Sequence, residues 1–388
     1  MKIISVKSVY EEIKKNRKAI NNVITRVKKG DLQGFTPPST LVGEFNYPKV
    51  SVGIIFTTDE NAYLYDSPKY WVKTGYDVAK IFSMRTTLVN ARDKVDVRKP
   101  DENFMQKISF ATMSRNDLSI DFKLSKAYDG GLLSETVAPH GITADLKSFH
   151  LNENFRIDHP IEKVYYDRDF NAIDAINYLY KNGIDDNKIN KVLSVGAIGV
   201  KRRLVPTKWA ITAVDDSVGK GLIDEIKDFD AEDDYFVKTG TVLGNHFIFL
   251  FLKGTWSFEL IETWNRNGNS LITGESDYEF YEGRKDYVHN TAGAYYAIRL
   301  AVLETLKTMK KQFSVIVIRE ITPEYFAPLG VWVVREGARK VLGNPAESSV
   351  DMPKLIKNAK SKLLYPIDIE NKSKIINLKE KQKILSDF

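Results

Sequence analysis

A chain of 388 residues, 43% hydrophobic and 28% charged, can bury a full core as one large domain or two, and its net charge of +6 confines any nucleic-acid-binding surface to a local patch. With no cysteine, disulfides, thiolate chemistry and cysteine-containing zinc sites are excluded; the five histidines, His140, His150, His159, His246 and His289, stand at no close ligand spacing, so no metal site and no zinc are expected. The first residues hold no apolar signal core and no run reaches the about 18 apolar residues of a membrane span, which points to a soluble, cytoplasmic protein with no membrane partner.

Taken in order, Ser8 with Glu11 makes a capping box, and Val6, Val9, Ile13, Ile20, Ile24 and Val27 recur at helical spacing up to Gly30, predicting an amphipathic first helix. Residues 35–40 (FTPPST) form a stiff loop, and residues 48–56 (PKVSVGIIF) a buried strand in which Gly53 marks a close backbone approach. The segment DSPKYW at 66–71 opens a helical region through Asn90. Residues 102–127 read as helix then strand, and Asp129-Gly130-Gly131 as a turn. In APHG, His140 lies between a proline and a glycine, held in a loop, and is a candidate catalytic residue as well as a plain surface histidine. Residues 171–182 are helical, capped by Gly183.

The strongest local contrasts fall in residues 194–216, SVGAIGVKRRLVPTKWAITAVDD. The apolar run Val192, Leu193, Val195, Ala197 and Ile198 reads as a buried strand, relieved by Gly196 and Gly199, and Trp209 leads a second β-prone run over 210–214. Between them Lys201, Arg202, Arg203 and Lys208 place four cations in eight residues around Pro206. A stiff loop presenting guanidinium groups suits phosphate, so these four and Trp209 are the candidate phosphate or nucleic-acid contacts; the alternative is a basic turn whose arginines are paired within the chain.

Residues 218–229 form a short helix before an acidic stretch at 228–234. HFIFLFL at 246–252 is a buried strand, and SFELIETW at 257–264 follows Gly254 as its hairpin partner. Glu259, Glu262, Asp277 and Glu279 are the candidate acid–base residues of this region, with Tyr295 or Trp209 for stacking. Residues 293–311 are a long helix carrying Arg299 and Glu304; residues 313–319 and 331–335 are strands, and residues 353–364 a last helix. From Pro366 the chain turns polar, with five lysines and one glutamate in residues 371–383, and a flexible tail is expected.

The motif VGAIGVKRRLVPTKWAITAVDD, with PPSTLVGEFNYPKVSVG, DSPKYW, APHGI, GNHFIFLFL, SFELIE, TAGAYYAIRLAVLE and VWVVREGARKVL, resembles the archaeal Nre (NreA type) DNA repair family over roughly residues 37–342. The resemblance implies a role in DNA damage repair and recruitment by the replication sliding clamp, PCNA, through a C-terminal motif. Here the match is Gln382, Leu385 and Phe388, a Q-x-x-L-x-x-F pattern that carries one terminal aromatic where the family motif usually shows two. Many relatives begin with a cysteine-rich zinc element, which this chain lacks, so zinc is not carried over. Independently, positions three apart stack on one side of a tight turn, so Leu385 and Phe388 form an apolar plug beside the Gln382 amide.

The predicted fold class is α+β: a mixed β-sheet core covered by helices over residues 1–365, divisible into two subdomains near 185, and a flexible C-terminal tail at 366–388. The predicted function is that of a DNA repair factor brought to DNA by the clamp. The rival is an enzyme acting on DNA or on a nucleotide-like DNA modification, with a pocket between the KRR loop and the carboxylates of residues 256–284 and a cofactor that the sequence does not name. A pure scaffold would instead spend those carboxylates on Arg284, Arg299, Arg335 and Arg339.

Overall fold

In the computed structural model, two six-stranded sheets each centre one of two units, Val6–Val218 with Ala327–Trp332, and Gly219–Phe326 with Val333–Phe388. The structure describes residues 11–386 except 12, 13, 15, 16, 19, 23, 27–30, 153 and 267–269. The described residues between 11 and 26 are helical, while Ser8 and Gly30, the predicted bounds of that helix, lie outside the described residues.

The N-terminal unit is built on strands β1 (Asp31–Thr36), β2 (Thr40–Val42), β3 (Lys49–Phe56), β4 (Val89–Asp96), β5 (Leu118–Leu132) and β6 (His140–Leu151), in the order β1-β5-β6-β4-β3-β2. Only the β4·β6 pairing is parallel, so the sheet is mixed. The buried strand expected at 48–56 is β3, whereas the Asp129-Gly130-Gly131 turn is absorbed into β5. The helical region expected over 66–90 divides into α1 (Pro68–Thr74) and α2 (Val78–Thr86), because Gly75 takes φ 73° and Asp77 then caps α2 by accepting from the Lys80 N–H.

Next come α3 (Asn103–Met113), α4 (His159–Tyr166), α5 (Ala172–Lys181), α6 (Asp186–Ser194) and α7 (Thr207–Lys227). The two strands expected around the KRR loop are helices. Val192 and Leu193 end α6 and Val195 caps it; Ala210, Val214, Val218, Leu222 and Ile226 are buried on α7 at four-residue spacing, which is a helical stripe. Residue 185 caps α6 inside this unit, and the two units part at 218/219, within α7.

The C-terminal unit holds β7 (Tyr235–Val242), β8 (Asn245–Leu252), β9 (Ser257–Arg266), β10 (Ser270–Glu279), α8 (Ala292–Met309), β11 (Ser314–Ile321), α9 (Trp332–Leu342), β12 (Glu347–Ser349), α10 (Met352–Lys362), α11 (Ile369–Lys372) and α12 (Lys374–Ser386). The sheet order is β10-β9-β11-β8-β7-β12. The hairpin expected between β8 and β9 does not form: β11 lies between them, parallel to β9 and antiparallel to β8. The strand expected at 331–335 is instead the start of α9. Packing also continues past Leu364, the expected end of the globular part. Ile367, Ile369, Ile375 and Ile376 are buried in the same apolar cluster as Ile316 and Ile318, and this burial pulls α11 and the start of α12 onto the sheet.

A buried charge group braces the N-terminal unit. Asp66 accepts from Arg85 Nη1 at 2.9 Å and from Lys191 Nζ at 2.6 Å. Burial alone would raise the Asp66 carboxyl, yet Lys191 and Arg85 hold it at about 2. Since the folded value lies below the ordinary 3.8, this contribution to stability is complete above that pH and is lost as pH falls towards 2. Asp66→Asn is expected to remove that acid-range dependence and to cost about 3–5 kcal/mol at pH 7, because two buried cations lose their counter-charge. Urea unfolding from pH 2 to 7 checks it; an unaltered pH slope in the variant would refute the assignment.

Candidate ligand cavity and the basic loop

His140 is placed by the bonds of its neighbours. Arg85 Nε donates to the Pro139 carbonyl at 2.8 Å, and a Cβ at Gly141 would stand 1.6 Å from the Thr86 carbonyl oxygen, so only glycine allows β6 to start this close to the end of α2. The histidine that the sequence puts in a loop is therefore the buried first residue of β6. Asn90, on the neighbouring strand β4, donates from Nδ2 to His140 Nε2 at 3.3 Å. Its side chain lies over Gly53 of β3: a Cβ there would come within 1.9 Å of Asn90 Oδ1, which is the close approach Gly53 signals in the sequence.

Asn90 and His140 form part of the wall of a cavity of about 820 Å³. Glu44, Phe45 and Lys49 of the β2–β3 hairpin border it, with Arg92 and Lys94 of β4, Tyr128 of β5, Asp145 of β6, and Thr207 and Lys208 at the start of α7. Tyr128 Oη donates to Asp145 Oδ2 at 2.8 Å, a bond that raises the phenol pKa. The start of α7 is fastened here: Thr207 Oγ1 accepts from the Val42 N–H at 2.9 Å and lies 3.1 Å from Ser194 Oγ. That anchor sets Lys208 Nζ 3.4 Å from Glu44 Oε1, and the Trp209 ring 6.3 Å from that of Tyr47. Phe45 borders the cavity at 76% exposure, and Tyr47 and Trp209, next in sequence to its bordering residues Asn46 and Lys208, are 51% and 50% exposed, large aromatic surface left in water.

The basic loop splits by role. Lys201 and Arg203 are exposed, as is Lys208. Arg202 points inward, donating to the carbonyls of Tyr165, Val164 and Gly199 with its guanidinium 5.0 Å over the Tyr165 ring. Its charge is spent on holding α4 to the loop, so of the four cations it is the buried one, while Lys208 keeps its exposed pairing with Glu44.

The four candidate carboxylates, Glu259, Glu262, Asp277 and Glu279, are engaged within the C-terminal unit. Glu259 accepts from Ser373 Oγ at 2.6 Å and from the backbone N–H groups of Lys374 and Ile375 at 3.0 and 3.2 Å, so it caps α12 from below; burial raises its pKa against those bonds. Glu262 pairs with Arg319, which also grips Asn245 Oδ1. Asp277 accepts from the N–H groups of Asn290 and Thr291 and the Thr291 hydroxyl, capping the start of α8, with Arg284 4.0 Å away. Glu279 pairs with the buried Arg299 at 2.8 Å. Tyr295 is buried, its phenol pKa pushed well above the usual by burial and then by Glu279, and it presents no face for stacking. This is the pairing expected of a scaffold for Arg284 and Arg299; Arg339 turns instead to Glu304 and Glu336.

Among the described residues no three histidine, aspartate or glutamate side chains gather to hold a metal ion, and no helix is long and apolar enough to cross a membrane. Gln382 and Leu385 fall within the span of α12 without described side chains, and Phe388 lies outside the described residues. Asn90, Arg92, Tyr128 and Asp145 carry no signal of their own in the sequence. Gly53 is the one pointer there, since a glycine in a buried strand leaves room for a neighbour, here Asn90.

The chain matches the family model for archaeal Nre, N-terminal, over residues 7–269 and the model for archaeal Nre, C-terminal, over residues 279–388. It is 35% identical over 330 residues to the DNA repair protein NreA of Haloferax volcanii, covering 81% of this chain and 78% of that protein. It is 36% identical over 324 residues to the DNA repair protein NreB of Archaeoglobus fulgidus, covering 80% of each. No solved structure matches it.

The close approach at Gly53 can be tested by a cycle. Gly53→Ala is expected to destabilise the fold by about 1–3 kcal/mol by driving the Asn90 side chain off the sheet. Asn90→Ala should relieve most of that overlap, so the double variant should be more stable than the two single effects added together. Strict additivity in urea unfolding would show that the two residues do not compete for this space.

Proposed function

We propose, because the chain belongs to the archaeal Nre family, that it is a DNA repair protein that touches DNA directly and is recruited to it by the replication sliding clamp, PCNA, in the cytoplasm. The relatives named as DNA repair proteins support the first part. Direct contact is supported by the surface at and next to the cavity: Phe45, Lys49 and Lys208 border it, Tyr47 and Trp209 are exposed beside them in sequence, and exposed rings among cations are the combination that binds nucleic acid through base stacking and phosphate attraction. The alternative, an enzymatic role on DNA or on a nucleotide-like DNA modification, would draw on this cavity, where Asn90 and His140 are buried with unused hydrogen-bonding atoms, since Glu259, Glu262, Asp277 and Glu279 are engaged elsewhere.

DNA binding through the loop predicts a salt effect. The triple variant Lys201→Ala, Arg203→Ala and Lys208→Ala should bind DNA more weakly and with a shallower salt slope, by about 0.7–0.9 for each phosphate that goes without its cation. An unchanged slope would remove these cations from the interface. Arg202→Ala should instead lower the melting temperature, since three carbonyls are left without their donor and the Tyr165 ring without its cation.

Clamp recruitment rests on Gln382, Leu385 and Phe388. Among the described residues of α12 the buried apolar anchors are Ile375 and Ile376, so removing residues 382–388 should leave the melting temperature in place while clamp binding disappears. Leu385→Ala or Phe388→Ala should remove most of a micromolar affinity, at about 1.5–3 kcal/mol for each buried side chain. Calorimetry with purified clamp checks this, and full-strength binding by the truncated chain would make the motif irrelevant.

A further inference from the structure

Two side chains in the cavity hold hydrogen-bonding capacity that the protein does not use. Asn90 and His140 are 6% and 5% exposed; they meet at 3.3 Å through Nδ2 and Nε2, and Asn90 Oδ1 and His140 Nδ1 make no hydrogen bond of good geometry, the Ile142 backbone lying close enough only to favour the protonated ring against its burial. A primary amide carries an acceptor oxygen and a donor nitrogen, and a neutral imidazole one donor and one acceptor nitrogen. Their mutual bond uses one N–H and one acceptor whichever way the amide is turned, so at least one donor and one acceptor remain. Burial first, and then the charges of Arg85 and Arg92, bring His140 down to about 4, so the imidazole is neutral at pH 7. The pair is therefore suited to an uncharged group with an acceptor and a donor side by side.

The strand that carries Asn90 extends the pattern outward. Asn90, Arg92 and Lys94 alternate along β4 on one face, each about 7 Å from the last, and all three border the cavity. The face runs from a buried neutral amide to two exposed cations. Val42, Val137 and Leu146 supply apolar wall, and Phe45 stands at the mouth. A planar neutral ring with a mixed donor–acceptor edge, joined to phosphate, matches that sequence of surfaces. We propose that the cavity takes one unpaired nucleobase of DNA, with its edge on Asn90 and His140, its flanking phosphates on Arg92 and Lys94, and the next unpaired base on Phe45. This rests on the direct DNA contact proposed above. It names the part of DNA that is bound, a base outside the duplex stack.

The test is fluorescence anisotropy of the full chain with a mixed-sequence single-stranded 12-mer, the same strand with abasic residues, and the duplex form. The 12-mer should bind at least about tenfold more tightly than either comparison. Asn90→Leu and His140→Phe keep the branched and the flat outline of the two side chains but remove the free donor and acceptor; each should erase most of that tenfold preference and leave the abasic affinity unchanged. Should a floor variant fail to fold, Ser51→Trp, which fills the cavity from a half-buried position in its wall, must abolish the same preference. If no DNA binds at all, the direct contact proposed above falls and this inference with it. If DNA binds but abasic and intact strands are equal, or the preference survives the floor and filling variants, only the cavity assignment is overturned and the bases merely stack on the rim.

Discussion

The guanidinium of Arg85 is the constraint on which the N-terminal unit's cavity depends. From one buried position it reaches the Asp66 carboxylate, the Tyr65 carbonyl and the Pro139 carbonyl, each at 2.8–2.9 Å, and so joins the start of the DSPKYW segment, α2 and the lead into β6. A buried cation is tolerated only when its donors are met, and a planar fork can meet three acceptors in fixed directions where a lysine could not. Lys191 of α6 completes the charge balance on Asp66. Because Pro139 precedes His140, the geometry of the ion group is passed directly to the cavity wall. The charge of Arg85 also helps keep the imidazole neutral.

Residues 194–216 show how far local sequence can be trusted. The functional contrast, an apolar run broken by glycines and then a cluster of cations, is legible; the secondary structure is not. Val, Ile and Thr favour strands, and that propensity masks the four-residue spacing of Ala210, Val214, Val218, Leu222 and Ile226 that marks the buried stripe of α7. Gly196 and Gly199 are needed where they stand, with φ of 69° and 97°, but they turn the chain between two helices instead of two strands. Nor can sequence divide the cations. Whether an arginine faces phosphate or its own backbone depends on where Tyr165 and Val164 lie, and these come from α4, more than thirty residues earlier.

In the C-terminal unit the individual strands at 246–252 and 257–264 are readable from their apolar character, and their partnership is not. A hairpin is the cheap closure for neighbouring strands, yet β11 inserts between them after the whole of α8 has intervened. Once β9 is buried on both sides, its glutamates must be partnered. Glu259 finds the open N–H groups at the start of α12 and Glu262 finds Arg319. Acidic residues close together in sequence thus mark the places where helix starts (Glu259, Asp277) or buried arginines (Glu262, Glu279) needed acceptors, which is a structural need that looks like acid–base chemistry when seen without its partners.

The cavity is the least legible feature because its parts are ordinary in sequence: an asparagine where a helix is expected to end, an arginine and a lysine in a charged run, and aromatics in a hairpin. What unites them is the two-residue alternation of β4, visible only once β4 is known to be a strand between β3 and β6. That placement also separates structural polarity from polarity left over. Arg202 and Glu259 are buried with partners and strengthen the fold. Asn90 and His140 are buried with capacity unused, at a cost of about 1–3 kcal/mol for each unmet group if nothing occupies the cavity. Apolar side chains of similar shape would fill the same space without that cost, so the polar pair gives the fold nothing that packing could not. A group with complementary polarity in the cavity would meet that capacity.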